Sequence, residues 1–417
     1  MNIWLINPYG QIPGEGWRDY RFTMLGKALV ERGHQALWWT ANFSHTFKRF
    51  RSESWKDISI VSKFDIRLVP TTGYEKNASL ARVRFEIIYA WQTYRRAAEV
   101  EPPDCIVATD PSQIVGYMAV RLARRHRVPL ILDVFDLWPE LFVLALPRLL
   151  RPFAPIVFSP LYWLRRHNLG RADALTSLCN TYLEVAKTEA SKFRIAPSMT
   201  IYNGINIAAF RATRPDASEA IKLSHQLGKG PDDVWVVYTG SLGNNYDIDT
   251  LLRAGLYLEK RGSRIKIWIV GEGPLRPYVT EFIETHRLES VVYLGKHLEP
   301  DELIKLYRVC DIALCPYAPE SNVAMPNKSY DYMAAGLPIV SSLRGELENF
   351  LRDHQVGVQY KAGDSTSLVS TLESLAADKG RRSMMACNSY DAAMEFDENV
   401  QYPKFVDLVE QVIADTR

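Results

Sequence analysis

Cysteine is scarce and scattered in this chain of 417 residues: Cys105, Cys179, Cys310, Cys315 and Cys387 are all there are. The Cys310/Cys315 spacing matches no zinc pattern, and the surroundings are mostly apolar. The thiols therefore read as buried and reduced in a cytosolic protein. No convincing metal-ligand cluster is present, so no metal is expected. No apolar stretch is long enough for a membrane-spanning helix. No basic leader or cleavage site precedes Ile3-Trp4-Leu5-Ile6, so no signal peptide is read. Low-complexity tracts are missing. Nor does a nucleic-acid-binding motif accompany the arginines, so nucleic acid is not expected as a partner.

What is present is globular. Hydrophobic residues make up 47% and aromatic residues 11% of the chain, enough for two sizeable cores, and the length favours two domains. The net charge of +2 is unevenly divided. Residues 1–205 carry 27 Lys and Arg against 18 Asp and Glu, and the remainder 23 against 30. A basic first half suits an anionic partner, such as a membrane surface or a lipid pyrophosphate.

The most informative stretch runs from Met325 to Ser342. Asn327 is placed to cap a helix that starts at Lys328 or Ser329. Gly336 can end that helix, and Pro338 keeps it from resuming. The apolar run Leu337 to Val340 suits a buried strand. Anions bind well at the free N–H groups of a helix start. Lys328 adds a full positive charge there, and Asp331 follows one turn later on the same side. A cation for phosphates and a carboxylate for a ribose diol thus come close together.

Strand–helix alternation runs through both halves and argues for doubly wound α/β sheets. In the first half Ile3–Asn7, Gln35–Thr40, Asp104–Thr109, Pro129–Val134 and Ala174–Cys179 read as strands. Amphipathic helices span about Trp17 to Glu31 and Tyr89 to Glu99. The loop after the first strand carries Gly14 and Gly16, where backbone can approach a ligand closely. It lacks the third glycine of a dinucleotide fingerprint. Arg18 and Arg21 follow that loop, and His45–Arg51 reads as a basic, aromatic loop. Asp133-Val134-Phe135-Asp136-Leu137-Trp138-Pro139-Glu140 begins at a strand's carboxyl end, the edge where open α/β sheets bind ligands. Asp136 is the first candidate to meet a reacting hydroxyl, Asp133 the second and Glu140 the third. Leu149–His167 sets Phe153, Phe158, Tyr162 and Trp163 beside Arg148, Arg151, Arg165 and Arg166. That combination suits an in-plane membrane contact or packing against its own domain.

Phe193 to Asn206 reads as the crossing between domains, and residues 212–232 as an irregular surface connection. The second half opens with strand Val234–Thr239, the loop Gly240-Ser241-Leu242-Gly243 and a helix from about Asp247 to Lys260. Strand Ile265–Val270 then runs into Gly271-Glu272-Gly273. Val291–Gly295 leads to His297, and the strand Cys310–Tyr317 leads to the Met325 stretch. Helices near Asp364–Ala376, Gly380–Ala393 and Val400–Ala414 complete the chain.

The Met325–Ser342 stretch resembles the nucleotide-sugar signature of the GT-B glycosyltransferases, in particular the large retaining family four. In that family a Glu, seven residues and a second Glu precede an Ala-Met-Ala-Ala-Gly-x-Pro-type run. Asp331 stands at the second Glu, Val323 stands at the first, and Glu320 is out of register. Pro326-Asn327-Lys328 and the Asp136-to-Glu140 run are similar to a bacterial surface-polysaccharide subgroup. Met199–Asn206 resembles the family's Asn-Gly segment. The resemblance covers nearly the whole chain and implies two Rossmann-like doubly wound domains facing a cleft. Residues 1–200, with a crossing helix at 396–417, would take the acceptor, and residues 201–395 the donor.

The same resemblance implies an enzyme that moves a sugar from a nucleotide diphosphate-sugar, UDP preferred, with retention and with neither metal nor cofactor. The acceptor would be a glycan or an undecaprenyl-pyrophosphate-linked chain. The setting would be O-antigen, capsule or exopolysaccharide synthesis in the cytoplasm, at the inner face of the cytoplasmic membrane. Lys328, with Asn327 and the amides around Gly240, Ser241 and Gly243, would hold the diphosphate. Asp331 would hold the ribose, and Gly271, Glu272 and His297 would border the base. Gly14, Gly16 and Arg21 would lie near the transferred sugar, with Arg18 and Arg21 as candidate anion contacts and Asp136 and Asp133 orienting acceptor or sugar. Relatives carry an Arg and a Lys after the first glycine loop of the donor domain. Asn244, Asn245 and Tyr246 stand there instead, which moves the weight to Lys328. A nucleotide-sugar 2-epimerase of the same fold and a non-catalytic nucleotide-sugar-binding protein are the alternatives.

Overall fold

Ile3, Trp4, Leu5 and Ile6 have no accessible surface, because the first apolar run is covered on both faces of a parallel sheet. A computed structural model describes residues 1–16, 19–77, 79–110, 112–192, 196–213, 216–296 and 298–416. The chain divides into unit 1, Met1–Gly204 with Asn399–Arg417, and unit 2, Ile205–Glu398.

Unit 1 contains β1 (Asn2–Ile6), β2 (Gln35–Ala41), the two-residue strands β3 (Phe43–Ser44) and β4 (Arg49–Phe50), β5 (Lys56–Val61), β6 (Phe64–Val69), β7 (Cys105–Asp110), β8 (Leu130–Val134), β9 (Ala174–Ser177) and β10 (Ser198–Thr200). The main sheet has the order β10-β9-β8-β7-β1-β2-β6-β5. All its pairs are parallel except β5 with β6. The chain leaves β1 for β2 on one side and returns to β7 on the other, so the topological switch point lies between β1 and β7. The helix Glu398–Thr416 lays Tyr402, Phe405, Val409 and Val412 into the same core as Ile3 and Leu5. Cutting the fully buried Phe405 to Ala would cost about 3–5 kcal/mol.

Unit 2 contains β11 (Val234–Thr239), β12 (Ile265–Val270), β13 (Val291–Tyr293), β14 (Ile312–Cys315), β15 (Ile339–Ser341) and β16 (Gly357–Gln359). The order is β13-β12-β11-β14-β15-β16, with all neighbours parallel. Its switch point lies between β11 and β14.

Several local expectations change. The stretch 212–232 is not irregular throughout: Ala217–Gln226 is a helix, with a capping box between Asp216 and Glu219. His45–Arg51 ends in β4, which pairs with β3 as a small hairpin. Asn327 is not a cap but the first residue of its helix, and Pro326 takes the cap position. Four cysteines are buried, but Cys387 is exposed. Among the described residues no helix is long and apolar enough to cross a membrane.

Candidate active site

β11 ends at Thr239, and the chain turns at Gly240 with φ of 143°, a conformation open to glycine. A Cβ on Gly240 would lie 2.7 Å from the Lys328 ammonium nitrogen. A Cβ on Gly271 would lie 2.0 Å from the Gly240 carbonyl oxygen. Gly271 is therefore required by contact between two protein loops, whatever it does for a ligand. The Gly240 amide donates to the Val270 carbonyl at 3.0 Å, and the Leu242 amide to the Glu272 carbonyl at 2.9 Å. The expectation that the whole Gly240–Gly243 loop offers its amides is thus corrected. Two of them knit the loops together, and among the described residues only the Ser241 and Gly243 amides remain.

Lys328 lies in the first turn of the helix Asn327–Ala334. Its Nζ is shut from solvent and has no hydrogen-bond partner among the described residues. Nζ sits 4.2 Å from the ring centroids of both Tyr238 and Tyr246, and 5.4 Å from that of Tyr317. Three ring faces attract the ammonium, but none neutralises it. Burial pushes the Lys328 pKa down to about 7, opposed by Cys315. A buried cation without an anion is the feature a diphosphate would complete.

The cage is rigid. The Ser342 hydroxyl accepts the Tyr317 amide at 2.7 Å and donates to the Tyr317 carbonyl at 2.9 Å. The Tyr238 hydroxyl donates to the Ser241 carbonyl at 2.6 Å, and Tyr246 pairs with Tyr317 in an isolated bridge. Asp331 lies one turn beyond Lys328 and is buried. Asn327 is exposed at the helix start. Glu272 is partly exposed and pairs with Arg276 at 3.1 Å. His297 and Arg18 lie outside the described residues.

Unit 1 treats its charges differently. Asp133 is fully buried and accepts two hydrogen bonds from Arg21, both at 2.8 Å, and a third from Thr176 at 2.7 Å. Arg21 is itself buried and donates to the Ile201 carbonyl. A carboxylate and a guanidinium satisfied in this way are a structural pair. Asp133 is therefore withdrawn as a group that touches substrate, and Arg21 as an anion contact. Glu140 is held by Arg165 at 2.6 and 2.8 Å, and Arg165 also holds Glu189.

Gly14, with φ of 84°, turns the loop after β1, and nothing within 4 Å would oppose a Cβ there. A Cβ on Gly16 would meet the Tyr20 ring at 3.2 Å. The loop is clamped by Arg51, which pairs with Glu15 and donates to the Gly10 and Ala41 carbonyls at 2.8 Å. Asp136 remains as the unit's candidate. Burial pushes its carboxyl up to about 6, against the Leu137 amide and Arg82, while Glu140 adds to the rise.

Beside Asp136 stands a cluster the sequence did not announce. The Tyr9 and Ser112 hydroxyls donate to the buried Glu86, whose carboxyl is raised by that burial. The Arg82 guanidinium lies over the rings of Tyr9 at 4.7 Å and Trp138 at 4.1 Å. Tyr9 follows β1 and Ser112 follows β7, the two strand ends of the switch point. That rule could have found them, but nothing marks Glu86 or Arg82 within their helix.

Residues 19–202 match the family model described as a glycosyl transferase 4-like domain, and residues 233–378 the model described as glycosyl transferases group 1. The chain belongs to the group 1 glycosyltransferases. An uncharacterized glycosyltransferase of Methanocaldococcus jannaschii is 28% identical over 192 residues, 45% of this chain and 47% of that protein. The chain spans about half the length of the curated relatives it matches. Sucrose-phosphate synthase from Thermosynechococcus elongatus superposes with a TM-score of 0.76 at 15% identity, over 99% of both chains. Anabaena HepE in complex with UDP-glucose superposes with a TM-score of 0.68 at 16% identity, over 99% of this chain and 100% of that one. At such identities the likeness shows the fold, which is that of the GT-B glycosyltransferases. Lys328, Asp331 and both glycine loops of unit 2 fall inside the group 1 match, and Arg21, Asp133 and Asp136 inside the other. Tyr9, Gly14 and Gly16 precede both matches.

Proposed function

We propose that this glycosyltransferase moves a sugar, with retention, from a nucleoside diphosphate-sugar carried on UDP. The acceptor is a glycan or an undecaprenyl-pyrophosphate-linked chain in bacterial surface-polysaccharide synthesis. Unit 1 works at the inner face of the cytoplasmic membrane. The observation that carries the donor assignment is Lys328, a buried ammonium at a helix start with aromatic faces around it and no anion. The complex of HepE with UDP-glucose supports UDP as the carrier. The Asp-Leu-Trp-Pro-Glu run and the basic first half support the acceptor class.

Departure of the nucleoside diphosphate builds negative charge on the β-phosphate. Lys328, the first amides of its helix and the Ser241 and Gly243 amides meet that charge in place of a metal ion. Asp331 holds the ribose. Asp136, with its carboxyl raised toward neutral pH, orients the acceptor hydroxyl or the sugar.

The test is thermal stabilisation by UDP, GDP, dTDP, ADP and CMP at matched concentration. A ligand at a hundred times its dissociation constant should add about 2.7 kcal/mol. A response to UDP alone supports the proposal and selects the sugars to try in transfer. A response to none of the five removes the donor site from unit 2.

A further inference from the structure

The helices Leu80–Arg96, Gln113–His126 and Ser159–Leu169 of unit 1 pack side by side in that order. Their outer surface is unusual for a solvated one. On the first helix Leu80, Val83, Ile87 and Trp91 recur at spacings of three and four and are 87, 43, 52 and 52% exposed. Tyr117 and Trp163 continue the pattern on the next two helices, each against the His167 ring, at 5.6 and 5.2 Å between centroids. The turns before the third helix add Leu149 and Ile156, 87 and 74% exposed. Six of the chain's large exposed apolar side chains fall between Leu149 and Trp163. Such a concentration needs a cause, whereas single exposed apolar residues do not.

The charges on this face have one sign. The three helices contain a single acidic residue, Glu86, and it is turned inward to Tyr9 and Ser112. No acidic residue occurs from 141 to 172. Arg84, Arg95, Arg121, Arg124, Arg125 and Arg166 are all exposed. The Arg95 guanidinium lies 4.8 Å over the Trp91 ring, with an apolar body below and a charge above. An ordinary solvated face mixes both signs. A face of tryptophans, aliphatics and arginines alone is complementary to lipid phosphates with acyl chains beneath them.

We propose that this face docks unit 1 on an anionic lipid bilayer. Trp91, Trp163 and Ile156 enter the interfacial layer, and Arg84, Arg121 and Arg166 meet lipid phosphates. The inference rests on the membrane placement given above and names the surface and the lipid charge that achieve it. It does not depend on the donor site.

The test is co-sedimentation of the full chain with vesicles, without nucleotide or sugar. One set is phosphatidylcholine alone, and the other is roughly three parts phosphatidylcholine to one part phosphatidylglycerol. Wild type should sediment with the anionic set, weakly with the neutral set, and less at high salt. An arginine near such a surface is worth about fivefold in partitioning, so R121Q/R124Q/R166Q should lose roughly a hundredfold. I156S/W163S should also lose binding while keeping the wild-type melting curve, because both side chains are already exposed. Equal binding to the two vesicle sets, or unchanged binding of both variants, overturns the proposal. So does a lipid-free self-association abolished by the same variants, which would make the face a contact between two copies. Since the vesicles carry no donor, a failed nucleotide titration leaves this face standing, and failed sedimentation leaves the donor site standing.

Discussion

Unit 1 pairs the buried cations Arg21, Arg51 and Arg165 with carboxylates, whereas unit 2 leaves a buried ammonium with only aromatic faces around it. Both units are doubly wound sheets with a switch point, so the difference does not come from the fold. Arg21 with Asp133, Arg51 with Glu15, and Arg165 with Glu140 and Glu189 complete one another within unit 1. Lys328 is the only lysine whose nitrogen is buried without a partner among the described residues. Burial of a charge is costly unless it is paired. A satisfied pair therefore marks scaffolding, and an unsatisfied cation marks the place where a ligand supplies the missing anion.

The largest effect that would sharpen this contrast lies in unit 1. Asp133→Ala strands a buried guanidinium and should cost about 3–5 kcal/mol in denaturant unfolding. The double change Arg21→Met with Asp133→Leu should recover much of that loss. A single-variant loss below about 1 kcal/mol would place the pair among weak surface contacts and break the comparison.

Lys328→Met should behave in the opposite way. Turnover should fall about ten- to a thousandfold, the range for one lost transition-state contact, while the ligand-free protein is no less stable. The folded pKa of Lys328, about 7, lies below its unfolded value. The unfolded chain therefore binds more protons from about pH 7 up to the ordinary lysine range, and wild-type stability should rise with pH across that window. The Met variant should lack this rise. Near-normal turnover in Lys328→Met would remove the residue from the mechanism.

Asp331→Ala should weaken nucleotide binding by about 1.5–3 kcal/mol, as expected for a lost hydrogen bond to a charged group. An unchanged dissociation constant in calorimetry would count against the ribose assignment. The smallest effect concerns Asp136, whose carboxyl is raised to about 6. If its carboxylate form is the active one, kcat/KM should decline as pH drops through about 6, and Asp136→Asn should lose that limb. A limb that persists in Asp136→Asn belongs to another group.

Much of unit 2's site was legible because its signals are local. Lys328 and Asp331 stand three residues apart, and Gly336 and Pro338 close the helix within the same stretch. The cage was not legible, because Tyr238, Tyr246 and Tyr317 come from three separate segments. Arg21 and Asp133 are 112 residues apart, and Arg51 and Glu15 are 36 apart. Read singly, the first pair looked like an anion contact and a catalytic carboxylate. Only the fold shows that they neutralise each other. The β5–β6 hairpin passed unread although Phe64, Ile66 and Leu68 alternate with polar residues. The helix Ala217–Gln226 passed unread although Asp216 and Glu219 spell its capping box. Those two misses were failures of reading, whereas the ion pairs were hidden by sequence separation.

The most direct measurement is calorimetric titration of UDP into wild type and Lys328→Met near pH 8, in two buffers of different ionisation enthalpy. If Lys328 is the donor-site cation, it is largely neutral in the free protein at that pH and takes up a proton when the diphosphate arrives. Wild type should then show a binding heat that depends on the buffer and an affinity that falls by up to about tenfold per pH unit above 7. Lys328→Met should bind more weakly, with no buffer dependence. Equal affinity and equal heats in the two proteins would contradict the assignment and leave the caged lysine as a purely structural group.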